Sequence, residues 1–87
     1  MRVAVTQECI DQGFPNKAFL CPIALALQLA GFEDVSVTQD NIRYSTRGER
    51  GTVTVQYQPL SRLWHRRVRR YDSTGRMAPG YIYIMEG

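Results

Sequence analysis

The run CPIALALQLAG, Cys21 to Gly31, decides the fold, because it can be read with two periods. Ile23, Leu25, Leu27 and Leu29 alternate with Ala24, Ala26, Gln28 and Ala30, which is the pattern of a half-buried strand. The residue types argue for a helix. Pro22 suits a first helical position, where its missing N–H costs nothing, and Gly31 suits the terminating one. Between them Ala, Leu and Gln are strong helix formers, and Ile23 is the only β-branched residue. The stretch is therefore expected to be a helix. At about 100° per residue, Ile23 and Leu27 fall on one side and Leu25 and Leu29 nearly opposite. Such a helix needs cover on both sides, from the sheet on one and from another element or a second copy of the chain on the other.

Upstream, RVAVT (Arg2 to Thr6) alternates and is β-branched, so it predicts a first strand. Thr6 then caps a short helix, Gln7 to Gln12, with Glu8 suiting the helix dipole and Gly13 suiting a left-handed C-terminal residue. FPNKAF (Phe14 to Phe19) is a loop. Downstream, DVSVTQDNIRYS (Asp34 to Ser45) predicts a hairpin, with Val35 and Val37 before a turn at Asp40 and Asn41, and Ile42 and Tyr44 after it. TRGERG (Thr46 to Gly51) is a further turn, and TVTVQY (Thr52 to Tyr57) is the clearest strand. Pro59 opens a helix from Leu60 to about Asp72, ending near Gly75. After the loop RMAPG, YIYIM (Tyr81 to Met85) predicts a terminal strand. The expected order is β-α-α-β-β-β-α-β. It describes a small α+β domain over 1–87, with a mostly antiparallel sheet of about four to five strands packed by two helices.

With 87 residues the chain has room for one modest core that hides roughly 60% of the unfolded surface. The composition, 44% hydrophobic with four prolines and no low-complexity tract, is that of a globular chain and not of a disordered tail. Its net charge of +3 is unevenly placed. Residues 1–58 carry five basic against six acidic side chains, whereas residues 59–87 carry six arginines against Asp72 and Glu86. Ten of the eleven basic residues are arginine, which favours planar, bidentate recognition of phosphate or carboxylate.

Cys9 and Cys21 are too few for a disulfide scaffold, and Val3 to Val5 runs directly into TQECIDQG with no secretory-signal pattern. A cytoplasmic location with reduced thiols is the expectation. The longest apolar run is far below the ~20 residues that span a bilayer, so no membrane partner is expected. The two cysteines lack the spacing of a zinc site, and no other ligand cluster stands out, so neither a metal nor a cofactor is expected. Gly48 and Gly51 in GERG lack the Lys-Ser/Thr of a phosphate-binding loop and do not lead into a helix.

The stretch that points to function is RLWHRRVRR, Arg62 to Arg70, with five arginines in nine residues and no acid among them. As a helix it places Leu60, Trp64, Val68 and Tyr71 within about 80° of one another and Arg62, Arg66 and Arg69 within about 60° on the opposite side. Arg70 flanks that stripe, and Arg67 lies near the apolar boundary, where its stem can snorkel. The stripe suits an anionic partner, either an acidic protein surface or the phosphates of DNA or RNA. A solvated helix face has the same appearance. His65 belongs with the arginines as a binding residue; no nucleophile loop accompanies it, so no catalytic residues and no enzymatic activity are expected. Tyr44, Tyr57, Tyr81 and Tyr83 offer stacking surfaces to bases if they face solvent, and are half-buried sheet residues if they do not.

VAVTQECIDQG (Val3 to Gly13) followed by CPIALAL (Cys21 to Leu27) resembles small uncharacterised bacteriophage and bacterial proteins with a V-T-x-x-x-I-x-x-G segment and then C-P-x-A-L-A-L. The similarity continues in LWHRRVRRYDSTGRMAPGYIYI, an arginine-containing helix followed by a proline loop and a final strand. The resemblance implies a small α+β fold and a phage origin, and it carries no functional residues. A phage origin in turn implies an accessory protein that binds a host protein in the host cytoplasm, with anti-defence inhibition such as anti-CRISPR activity as the specific case. Inhibitors that mimic DNA are acidic, whereas this chain is basic, which leaves a nucleic acid or an acidic host surface as the partner.

Overall fold

The structure, a computed structural model, describes residues 1–85. The opening stretch is a helix, α2, over Pro22–Leu29, following β1 (Arg2–Val5) and α1 (Gln7–Gln12). Cys21 caps α2, its Sγ accepting the Ala24 N–H at 3.4 Å. At the other end Gly31 takes φ 100°, its N–H donates to Gln28 O, and the Phe32 N–H donates to Leu27 O, both at 3.1 Å. That pair of bonds is a Schellman closure, and Phe32 packs against the core cluster to which Leu27 belongs. Ile23 and Leu27 are fully buried and Leu25 packs half-buried against the core, but Leu29 is 81% exposed. Cover on the second side thus stops at Leu25.

Gly13 corrects an expectation. Its φ of −77° is ordinary extended backbone, so α1 has no left-handed closure. Glycine is required there by close approach, because a Cβ would sit 2.9 Å from Cδ of the buried Pro22 ring. The N-terminal cap is as expected, with Thr6 Oγ1 accepting the Cys9 N–H at 3.2 Å.

The remaining elements are β2 (Glu33–Val37), β3 (Asn41–Arg47), a 3-10 turn (Glu49–Gly51), β4 (Val53–Pro59), α3 (Arg62–Thr74) and β5 (Gly80–Tyr83). The α+β class and the element order stand. The strands, however, form two antiparallel sheets, β1-β5 and β2-β3-β4. Among the described residues no ladder joins them. A side chain does: buried Gln58 on β4 donates from Nε2 to Tyr83 O and accepts the Met85 N–H at Oε1, both at 2.7 Å. This role sets the face of β4. Gln58 lies opposite Ile42 and Gln56 opposite Tyr44, so the glutamines face the core and Val53, Val55 and Tyr57 face outward. α3 begins later than expected. Pro59 still belongs to β4, and Ser61 is the cap, its Oγ accepting the Trp64 N–H at 3.3 Å.

Buried ionisable groups make the fold sensitive to alkali. Burial raises the Cys21 thiol above its ordinary value, and burial also raises the Tyr71 hydroxyl, which donates to Ile10 O at 3.4 Å. The folded state holds these protons more tightly than the unfolded chain. Their stabilising effect is full below the ordinary thiol and phenol range and is lost as pH rises through the folded values. The urea midpoint should therefore fall above about pH 9, and less so in Cys21→Ser, which keeps a capping oxygen. A midpoint flat from pH 8 to 10.5 would contradict this.

Candidate functional site

α3 presents the site. Trp64, Val68 and Tyr71 are buried, and Trp64 is further fixed by its Nε1–H donating to Tyr81 O at 3.1 Å. The helix is thereby held with its arginines outward. Arg62, His65, Arg66, Arg69 and Arg70 line one shallow depression of about 460 Å³ together with Ser73, so the residues expected to act together are brought together. Among the described residues none of the α3 arginines has a carboxylate partner. The ion pair is Arg47 with Glu33 at 2.9 Å, and His65 Nε2 lies 3.9 Å from Asp40 Oδ1. The one acid on the helix is engaged elsewhere: Asp72 Oδ1 accepts the Asn16 N–H at 2.9 Å, and Oδ2 accepts from Gln39 Nε2 at 3.3 Å. Like charges at Arg62 and Arg66, and at Arg66 and Arg70, are one turn apart and repel, at a cost of a few tenths of a kcal/mol each.

A second cavity, of about 400 Å³, lies on the other flank of the helix and was not legible in the sequence. Arg66, Arg67 and Arg70 meet Arg76 there over Leu63, Met77 and Ala78. Arg67, expected only to snorkel, has its guanidinium 4.7 Å from the centre of the Trp64 ring. Gly80 leaves room for it, since a Cβ there would stand 2.6 Å from Arg67 Nη1. The only signal for Arg76 and Met77 was their place in the RMAPG loop just after Gly75, whose φ of 73° turns the chain out of the helix.

The tyrosines divide. Tyr44 is corrected from stacking residue to core: it is 2% exposed, meets Phe32 edge-to-face at 5.1 Å, and donates its hydroxyl to Met85 O. Ile42 beside it sets the buried face of β3, which alternation alone did not reveal. Tyr81 and Tyr83 are 54% and 69% exposed on one face of β5, and Tyr57 is exposed on β4. Arg2 covers one face of the Tyr81 ring at 4.3 Å. Tyr81 and Tyr83 line a cleft with Trp64 and Leu63, and Leu63 also lines the four-arginine cavity. Cys9 and Cys21 are both buried free thiols. No described helix is long and apolar enough to cross a membrane.

Comparison with protein-family models, curated proteins and solved structures finds no match to this chain.

Proposed function

We propose that this chain is a non-enzymatic binding protein that captures an acidic surface of a partner protein through the arginine face of α3. One observation carries the reading: the helix gathers five arginines with no carboxylate partner among the described residues, and commits its own Asp72 to Asn16 and Gln39. An anionic partner would relieve the repulsion along that face. The resemblance to bacteriophage proteins supports a phage-encoded accessory role in the host cytoplasm. A host protein is then the partner, and inhibition of a defence system, such as a CRISPR effector, is the specific form. A second copy of the chain is the partner proposed for Leu29 alone, read by the mass in solution of wild type against Leu29→Asp.

A pull-down from host lysate with and without nuclease tests the main proposal. A nuclease-resistant acidic protein is expected, and its capture should be lost in the triple variant Arg62→Glu, Arg66→Glu, Arg69→Glu while the circular dichroism spectrum is unchanged. Undiminished capture by that variant would overturn the reading. The exposed Tyr81 and Tyr83, reaching the arginines through Leu63, favour a second one, a nucleic-acid-binding module. It requires retardation of DNA or RNA that fades between about 50 and 200 mM salt.

A further inference from the structure

We infer that the cavity between α3 and the 76–78 loop receives an apolar side chain of the partner flanked by its carboxylates, so that the recognised segment is acidic with a single aliphatic anchor. The inference rests on the arginine-face reading and adds to it the shape of what is bound. Arg66, Arg67, Arg70 and Arg76 bring four guanidinium groups to one cavity whose lining contains no acid. Charge complementarity therefore asks for carboxylate or phosphate at its rim, and guanidinium groups match carboxylates bidentately. The remaining lining, Leu63, Met77 and Ala78, offers no hydrogen-bond partner from its side chains. Leu63 is half exposed, so covering it with an aliphatic group removes apolar surface from water on both sides. Met77 is unbranched and adapts to the shape of what enters.

Protein fits this cavity better than nucleic acid. A base would need an open aromatic face, and no ring is among the residues lining this cavity: Trp64 is buried beneath Arg67, and Tyr81 and Tyr83 lie in the neighbouring cleft beyond Leu63. The guanidinium of Arg67 is also held in advance, between that ring and the space left by Gly80, so little freedom remains for it to lose on binding. A volume of about 400 Å³ accommodates one leucine-sized side chain with part of its backbone.

Two synthetic peptides test the inference on the unmodified protein, one with a leucine flanked on each side by two glutamates and one with serine in its place. Trp64, the single tryptophan, lies beneath Arg67 and reports binding by fluorescence, checked by calorimetry. The leucine peptide is expected to bind about tenfold or more tightly than the serine peptide. That preference should disappear in Met77→Asp and in Ala78→Glu, and survive in the double variant Arg62→Glu, Arg69→Glu, whose residues lie outside the cavity. Equal affinity for the two peptides would overturn the inference. If capture of the acidic partner is still lost on reversing Arg62, Arg66 and Arg69, the arginine-face reading stands without the anchor. A single-stranded oligonucleotide that binds while neither peptide does would overturn both.

Discussion

Replacing Gln58 with leucine is expected to lower the unfolding free energy by about 2–4 kcal/mol, with no change in any charged or exposed group. The amide serves both a carbonyl and an N–H of the strand region Tyr83 to Met85, and together with the Tyr44 hydroxyl on Met85 O it links sheets that share no backbone ladder among the described residues. Leucine fills a similar volume but leaves the Met85 N–H and the Tyr83 carbonyl, both part-buried, without their partner, each at about 1–2 kcal/mol. Against a total of roughly 4–13 kcal/mol for a chain of this length, that loss moves the urea midpoint substantially. Gln58→Glu keeps the acceptor for Met85 but sets a buried carboxylate against the Tyr83 carbonyl, so at neutral pH it should be destabilised at least as much as leucine. A leucine variant within about 0.5 kcal/mol of wild type would show that the amide is dispensable.

The second large effect concerns α2. Leu27→Asp should leave no cooperative thermal transition at 25 °C and above. Leu27 is fully buried, and truncating such a side chain costs about 2–5 kcal/mol before any charge is considered. A carboxylate at that position adds a desolvation cost of several kcal/mol, and the total approaches the whole stability of the fold. Leu29→Asp, two residues away, should leave the stability of the monomer within about 0.5 kcal/mol of wild type, because in the single chain its side chain is already in water. The contrast is direct, since a strand would turn Leu27 and Leu29 to the same face. Equal effects at the two positions would contradict the helix.

Local chemistry carried much of the fold in the sequence. Pro22, Gly31, Thr6 and Gly75 act at or beside helix ends through their own backbone or hydroxyl groups, and those positions were legible. What depends on distant neighbours was not. Gly13 is explained by Pro22, nine positions on, and not by its own torsion angles. Val53, Val55 and Tyr57 alternate as a core face should, yet they point outward because Gln58 is committed to the other sheet. Tyr44 and Tyr83 have the same residue type and strand context, and only the packing of Phe32 and Ile42 separates the buried ring from the open one. At the candidate site, the stripe Arg62, Arg66 and Arg69 followed from helical period alone. The cavity needed Arg76, which joins Arg67 through a turn and a loop that no periodicity describes.

Pairing of β1 with β5 sets a timetable for folding. Val3 lies opposite Ile82, so the first strand finds its partner only when nearly all of the described chain has been made. Until then Val3, Val5 and the inward side of α1 have no finished surface to join, whereas β2, β3 and β4 are neighbours in sequence and can assemble early. A contact of such long sequence separation is closed late and slowly, after the local hairpins. On the ribosome, the early half of the molecule would wait as a hairpin sheet beside an unpaired strand, open to chaperones and proteases, until the residues following the arginine helix emerge and close it.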